Sequence, residues 1–145
     1  MSIVVLDASV AVKWMLPSQG EPLAREAIDL LNRYTCGELE FIVPDLFWAE
    51  CGNVFCKATR QGRVTFESAE HAMADLMGLN FPTTPSKSLL DRALVIATSF
   101  DRTLYDALYV ALAIESNGHL VTADERLANT LASRLPVKWL GHFVA

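Results

Sequence analysis

Residues Ile3 to Trp14 read IVVLDASVAVKW, and the fold follows from how this stretch breaks at Asp7. Ile3-Val4-Val5-Leu6 is apolar without alternation and rich in β-branched residues, the pattern of an interior parallel strand covered on both faces. Asp7 ends it, at the carboxyl end of the strand, where open α/β sheets place ligands. An acid behind four apolar residues is costly to hide unless a positive or hydrogen-bonding group meets it. Two readings follow. Asp7 anchors a small group of carboxylates around a divalent cation, or its side chain caps the helix expected over Ala8 to Met15.

Outward from that stretch, strand and helix patterns alternate. Pro17 and Gly20 stop the first helix, and Glu21-Pro22 opens a second reaching about Tyr34. Glu40 to Val43 is a strand closed by Pro44. Asp45 is placed to cap a helix through about Arg60, and after Gln61-Gly62 another runs from about Thr65 to Met77-Gly78. These two helices are expected to pair and to offer an interaction surface. Leu79 to Thr84 is a Pro-bounded edge strand. Ser86 is placed to cap a helix from Lys87 to about Thr98, and Thr103 to cap one from Leu104 to Asn117. His119 to Thr122 is a strand, Asp124 to about Ser133 a short helix, and Val137 to Trp139 a terminal strand. The expected architecture is a three-layer α/β/α sandwich with a mainly parallel central sheet, one domain over residues 1–145.

Composition narrows the function. At 145 residues and 52% hydrophobic, the chain can bury a core without staples. No apolar run is long enough to span a membrane, and none reads as a signal peptide, so a cytoplasmic protein without membrane attachment is expected. Cys36, Cys51 and Cys56 lack metal-ligand spacing and cannot all pair, and burial as small hydrophobes is expected of them. A net charge of -5 argues against holding nucleic acid by a broad basic face, though not against an enzyme acting on it. There is no Walker loop, dinucleotide fingerprint or nucleophile elbow.

Three more acids occupy places like that of Asp7. Glu50 lies early in the helix after the second strand, with Asn53 three residues on. Asp106 falls in the first turn of its helix, and Asp124 follows the strand ending at Thr122. In a parallel sheet Asp7, Glu50 and Asp124 emerge at one end. Four carboxylates together repel one another unless a cation intervenes, and Mg²⁺ or Mn²⁺ prefers oxygen ligands. Metal-assisted phosphodiester hydrolysis fits such equipment. Each acid also has a plain structural reading: Thr103-x-x-Asp106 matches a capping box, Asp124 an N-cap, and Glu50 an exposed helix face. Ser9 and Thr122 are candidates to hydrogen-bond a carboxylate or a bound water, and Asn53 to hydrogen-bond Glu50 or a substrate phosphate. Lys13, Lys57, Arg60 and Arg63 are candidate contacts for a phosphate backbone or an acidic partner. Trp14, Phe47, Trp48 and Phe55 divide between core packing and a partner or dimer surface.

Together these segments resemble the PIN-domain nucleases, and within them the VapC-type toxins of toxin–antitoxin pairs. The resemblance runs through Val5-Leu6-Asp7-Ala8-Ser9, Ala49-Glu50 with Asn53-Val54, Tyr105-Asp106-Ala107-Leu108-Tyr109-Val110-Ala111-Leu112-Ala113, and Thr122-Ala123-Asp124-Glu125-Arg126-Leu127. It implies an endoribonuclease dependent on Mg²⁺ or Mn²⁺, with Asp7, Glu50, Asp106 and Asp124 as catalytic metal ligands, a homodimer, and a small cognate antitoxin that fills the active-site groove. A non-catalytic PIN-like binding protein, and a metal-dependent phosphatase or DNA-directed nuclease, are the alternatives that the same residues leave open.

Overall fold

The computed structural model describes residues 2–143, so the ends of the expected 1–145 domain, residues 1 and 144–145, lie outside the described residues. Chain order is β1 (Ser2–Leu6), α1 (Ala8–Met15), α2 (Ala24–Thr35), β2 (Leu39–Pro44), α3 (Leu46–Arg60), α4 (Phe66–Gly78), β3 (Thr83–Thr84), α5 (Leu90–Phe100), α6 (Leu104–Glu115), β4 (His119–Thr122), α7 (Glu125–Leu131) and β5 (Val137–Trp139). All strand pairs are parallel, in the order β3-β2-β1-β4-β5. The helices flank this sheet as an α/β/α sandwich.

The order itself locates a crevice. From the central β1 the chain first builds outward through β2 and β3, then returns to build β4 and β5 on the other side. Connections therefore part company beyond the carboxyl ends of β1 and β4, which is where doubly wound sheets bind ligands. Val4, Val5 and Leu6 are fully buried, as their unbroken apolar run requires. Helix α6 is buried from Ala107 to Ala113 and lies against β1, β2 and β4. Such a helix is apolar on every side because neighbours surround it.

Local departures from the sequence expectations have identifiable causes. Leu23 takes a left-handed conformation (φ 59), so α2 starts at Ala24 and not at Pro22. Asp45 does not cap α3 with its side chain; it accepts the hydroxyl of Ser86 instead. Ser86 to Leu89 form a 3-10 turn and α5 begins only at Leu90. Of the cysteines only Cys51 is buried, while Cys36, in the turn after α2, and Cys56, on α3, are exposed. Phe47 and Phe55 belong to the core, and Trp14 and Trp48 are partly buried against it. Trp14 and Trp48 pack around Phe81 at ring separations of 6.2 and 6.1 Å, so burial accounts for most of this aromatic set. No helix among the described residues is long and apolar enough to cross a membrane.

Gly118 joins α6 to β4 against the start of β1. A Cβ there would meet the Ile3 carbonyl oxygen at 2.5 Å, with Ile3 main chain and side chain close behind. Backbone cannot yield as a flexible side chain can. Gly118→Ala is therefore expected to cost about 1–3 kcal/mol in urea unfolding, and an unchanged midpoint would contradict the close β1–β4 approach.

Candidate active site

Asp7 stands at the N-cap position of α1, yet its side chain makes no capping bond to that helix. One carboxylate oxygen, Oδ2, instead accepts the Ser9 hydroxyl at 2.8 Å and the Thr122 hydroxyl at 2.7 Å. Thr122 is fully buried at the end of β4, so this bond ties the two central strands at the crevice. The network continues: Ser9 Oγ accepts the Ala123 amide and Thr122 Oγ1 accepts the Asp124 amide, both at 3.1 Å. Burial pushes the Asp7 carboxyl above its ordinary range; the Thr122 and Ser9 hydroxyls oppose that, and the Asp106 charge adds to it. The capping reading of Asp7 is thereby set aside.

Glu50 projects from α3 and accepts the Tyr109 hydroxyl at 2.6 Å. Burial raises its pKa, the tyrosine hydrogen bond lowers it, and the charges of Asp7 and Asp106 raise it again. Asp7, Glu50 and Asp106 therefore share one electrostatic field. Tyr109 is itself buried, and its hydroxyl is held protonated by burial and by the neighbouring acids. Asn53, a candidate to bond Glu50 or a substrate phosphate, stands exposed on α3, and the hydroxyl that Glu50 accepts is that of Tyr109 on α6. Tyr109→Phe is expected to lower stability by about 1 kcal/mol, since Glu50 loses its donor while part of it remains solvated; urea unfolding of the two proteins measures it.

Asp106 shows both sides of its sequence pattern. Its amide donates to the Thr103 hydroxyl at 3.1 Å, as the capping box requires. Its carboxylate does not complete the box but accepts Arg102 Nη2 at 3.1 Å. Asp124 is exposed, and its Oδ1 accepts the Leu127 amide at 3.1 Å, so it caps α7 in this arrangement. Among the described residues, no three acid, histidine or cysteine side chains stand grouped closely enough to hold a metal ion. Three of the four predicted acids thus share a field without enclosing a site, and Asp124 faces its own helix.

The predicted basic contacts divide between one shared acid and an exposed helix end. Lys13 Nζ donates to the Pro22 carbonyl at 2.6 Å and lies 3.9 Å from Glu21, so it ties α1 to the following loop. Arg63 also lies 3.9 Å from Glu21. Lys57 and Arg60 are exposed in the last turn of α3, where cations complement the helix dipole. Arg102 and Tyr109 were missed as members of the site. Their spacing from Asp106, four residues before and three after, places all three on one face of α6 and its entry.

A parallel sheet whose central strands end in acids, joined by acids from two flanking helices, defines an α/β protein with an acidic centre at its switch point. The chain belongs to the PIN domain family, whose profile matches residues 4–131. Solved structures of similar fold include PAE2754 from Pyrobaculum aerophilum, at 22% identity, covering 97% of this chain and 85% of that one with a TM-score of 0.65. A toxin–antitoxin complex from Klebsiella pneumoniae is similar at 16% identity, with 95% and 96% coverage and a TM-score of 0.64. VapC20 of Mycobacterium tuberculosis, described as a sarcin–ricin loop cleaving toxin, is similar at 13% identity, with 92% and 96% coverage and a TM-score of 0.64. No curated protein matches the sequence.

Proposed function

We propose that this protein is a divalent-metal-dependent endoribonuclease of the VapC type, the toxin of a toxin–antitoxin pair. The observation that carries the proposal is the uncompensated acidity at the switch point. Asp7 and Glu50 are both raised by burial and by neighbouring acids, and among the described residues neither forms an ion pair. The donor set is carboxylate and hydroxyl oxygen throughout, which suits Mg²⁺ or Mn²⁺. Asp7, Glu50 and Asp106 would hold the ion, with Asp124 completing the acidic set. When bound, the cation supplies an activated water and charge stabilisation at the leaving oxygen of the phosphodiester.

The chain's own residues set the geometry for that chemistry. Ser9 and Thr122 orient Asp7 by two hydroxyl bonds, and Tyr109 orients Glu50 by a third. Since few bases surround the acids, substrate association is weak and depends on the cation. The groove between α3 and α4, about 550 Å³ and lined by Phe55, Phe66, Met73 and Met77, is the surface for an antitoxin segment. A homodimer, which the family resemblance implies, would cover exposed apolar side chains such as Leu94 and Val95 of α5. Similarity to a toxin–antitoxin complex supports an antitoxin as the kind of partner.

The purified protein is expected to cleave structured RNA, to stop in EDTA, and to resume on addition of Mn²⁺ or Mg²⁺. Parallel assays on DNA and on a small phosphate monoester separate the ribonuclease from the other phosphate-ester hydrolases. Cleavage that persists in EDTA would overturn metal dependence, and inactivity on every substrate would favour a PIN-like binding protein.

A further inference from the structure

Arg102 sits in the short link between α5 and α6. Asp101 before it takes a left-handed conformation (φ 53), and the Arg102 amide donates to the Ala97 carbonyl at 3.0 Å, closing the end of α5. Thr103 after it caps α6. The guanidinium therefore starts from a fixed place and loses less freedom in pairing than one on a loose loop. Its Nη2 meets Asp106 Oδ2 at 3.1 Å, with the two side chains 26% and 32% exposed. Its Nε is fully buried and has no acceptor. A buried donor without a partner is costly, so pairing with Asp106 leaves Arg102 incompletely satisfied.

We infer that Arg102 is the resting counter-ion of Asp106, which a divalent cation must displace, so that Arg102 weakens cation binding at the carboxylate centre. The inference rests on the metal-centre assignment above. With Arg102 in place, Asp106 presents a neutralised pair to an incoming cation; without it, Asp106 offers a full negative charge beside Asp7 and Glu50. A fixed positive group near a ligand carboxylate also repels a doubly charged ion directly. The competing role, a strut that holds Asp106 ready to ligate, predicts the opposite sign. Against a strut, the Asp106 backbone is already held by the Thr103 hydroxyl and by the buried helix that follows. A strut would also leave its own Nε unsatisfied in the working state.

Calorimetric titration of the full chain with Mn²⁺ tests this without measuring turnover. Arg102→Met and Arg102→Gln, which remove the charge and keep much of the stem, are expected to bind Mn²⁺ about three- to tenfold more tightly than the parent. Arg102→Lys, which keeps a charge, is expected within about twofold of it. Circular dichroism confirms folding, and either neutral variant suffices if the other fails to fold. Unchanged or weaker Mn²⁺ binding in the neutral variants would overturn the counter-ion role while the metal centre stood, provided Asp7→Asn abolishes the heat. No heat from the parent protein would overturn both.

Discussion

Asp7→Asn is expected to remove RNA cleavage by on the order of a hundredfold or more while raising the melting temperature of the metal-free protein. Both effects come from one charge. The carboxylate is the acid most enclosed by the sheet ends, and burial is the leading cause of its raised pKa. At neutral pH its ionisation therefore costs more in the folded chain than in the unfolded one. Asparagine keeps the shape and an oxygen that accepts the Ser9 and Thr122 hydroxyls, and it removes the charge a cation needs. Each kcal/mol gained moves the midpoint by about 2–4 °C in a domain of this size. A variant that melts lower and cleaves normally would place the chemistry elsewhere.

Cation binding is expected to be the largest stabilising perturbation available to the fold. Mn²⁺ at one hundred times its dissociation constant adds about 2.7 kcal/mol by mass action, or roughly 5–10 °C in melting temperature. The effect has a pH signature. Asp7 and Glu50 both have raised pKa values in the metal-free fold. Their contribution to stability is therefore complete below the ordinary carboxylate range, near pH 4, and is lost as pH rises through the raised folded values. Melting the parent and Asp7→Asn from pH 4 to pH 8 in EDTA isolates the Asp7 part as the difference between the two curves. That difference is expected to widen with rising pH, favouring the variant, and to shrink or reverse in Mn²⁺. Curves that stay parallel in both conditions would contradict a buried, ionised Asp7.

What could be seen in the sequence was whatever depended on neighbours along the chain. The run from Ile3 to Leu6 requires an interior strand, and its stop at Asp7 requires an acid at the sheet end. Thr103 and Asp106 announce the start of α6, and Asp124 the start of α7. Less legible was whatever depended on partners brought in by folding. Tyr109 reaches Glu50 across 59 residues of sequence and Thr122 reaches Asp7 across 115. Thr122 stands out in sequence as a hydroxyl at a strand end; Tyr109 lies in an apolar helix, and nothing along the chain marks its hydroxyl for Glu50. Helical spacing puts Asn53 near Glu50, yet spacing does not say which face meets solvent, and Asn53 is exposed. Lys13 looked like a phosphate contact because its loop partners, Glu21 and Pro22, are set by how the chain turns after α1. Asp124 is the case where the plain reading and the functional one coexist, since a residue that caps its helix in one arrangement still stands beside Thr122.

We propose that a divalent cation, when bound, draws Asp7, Glu50 and Asp106 into a single centre. Electron paramagnetic resonance of Mn²⁺ tests it most directly, because the signal of the free ion falls as the protein takes it up. Addition of the parent protein is expected to deplete the free-ion signal, and Asp7→Asn and Asp106→Asn are each expected to leave most of it in solution. Equal depletion by the parent and both variants would contradict the account, because the ion would then be held by other residues.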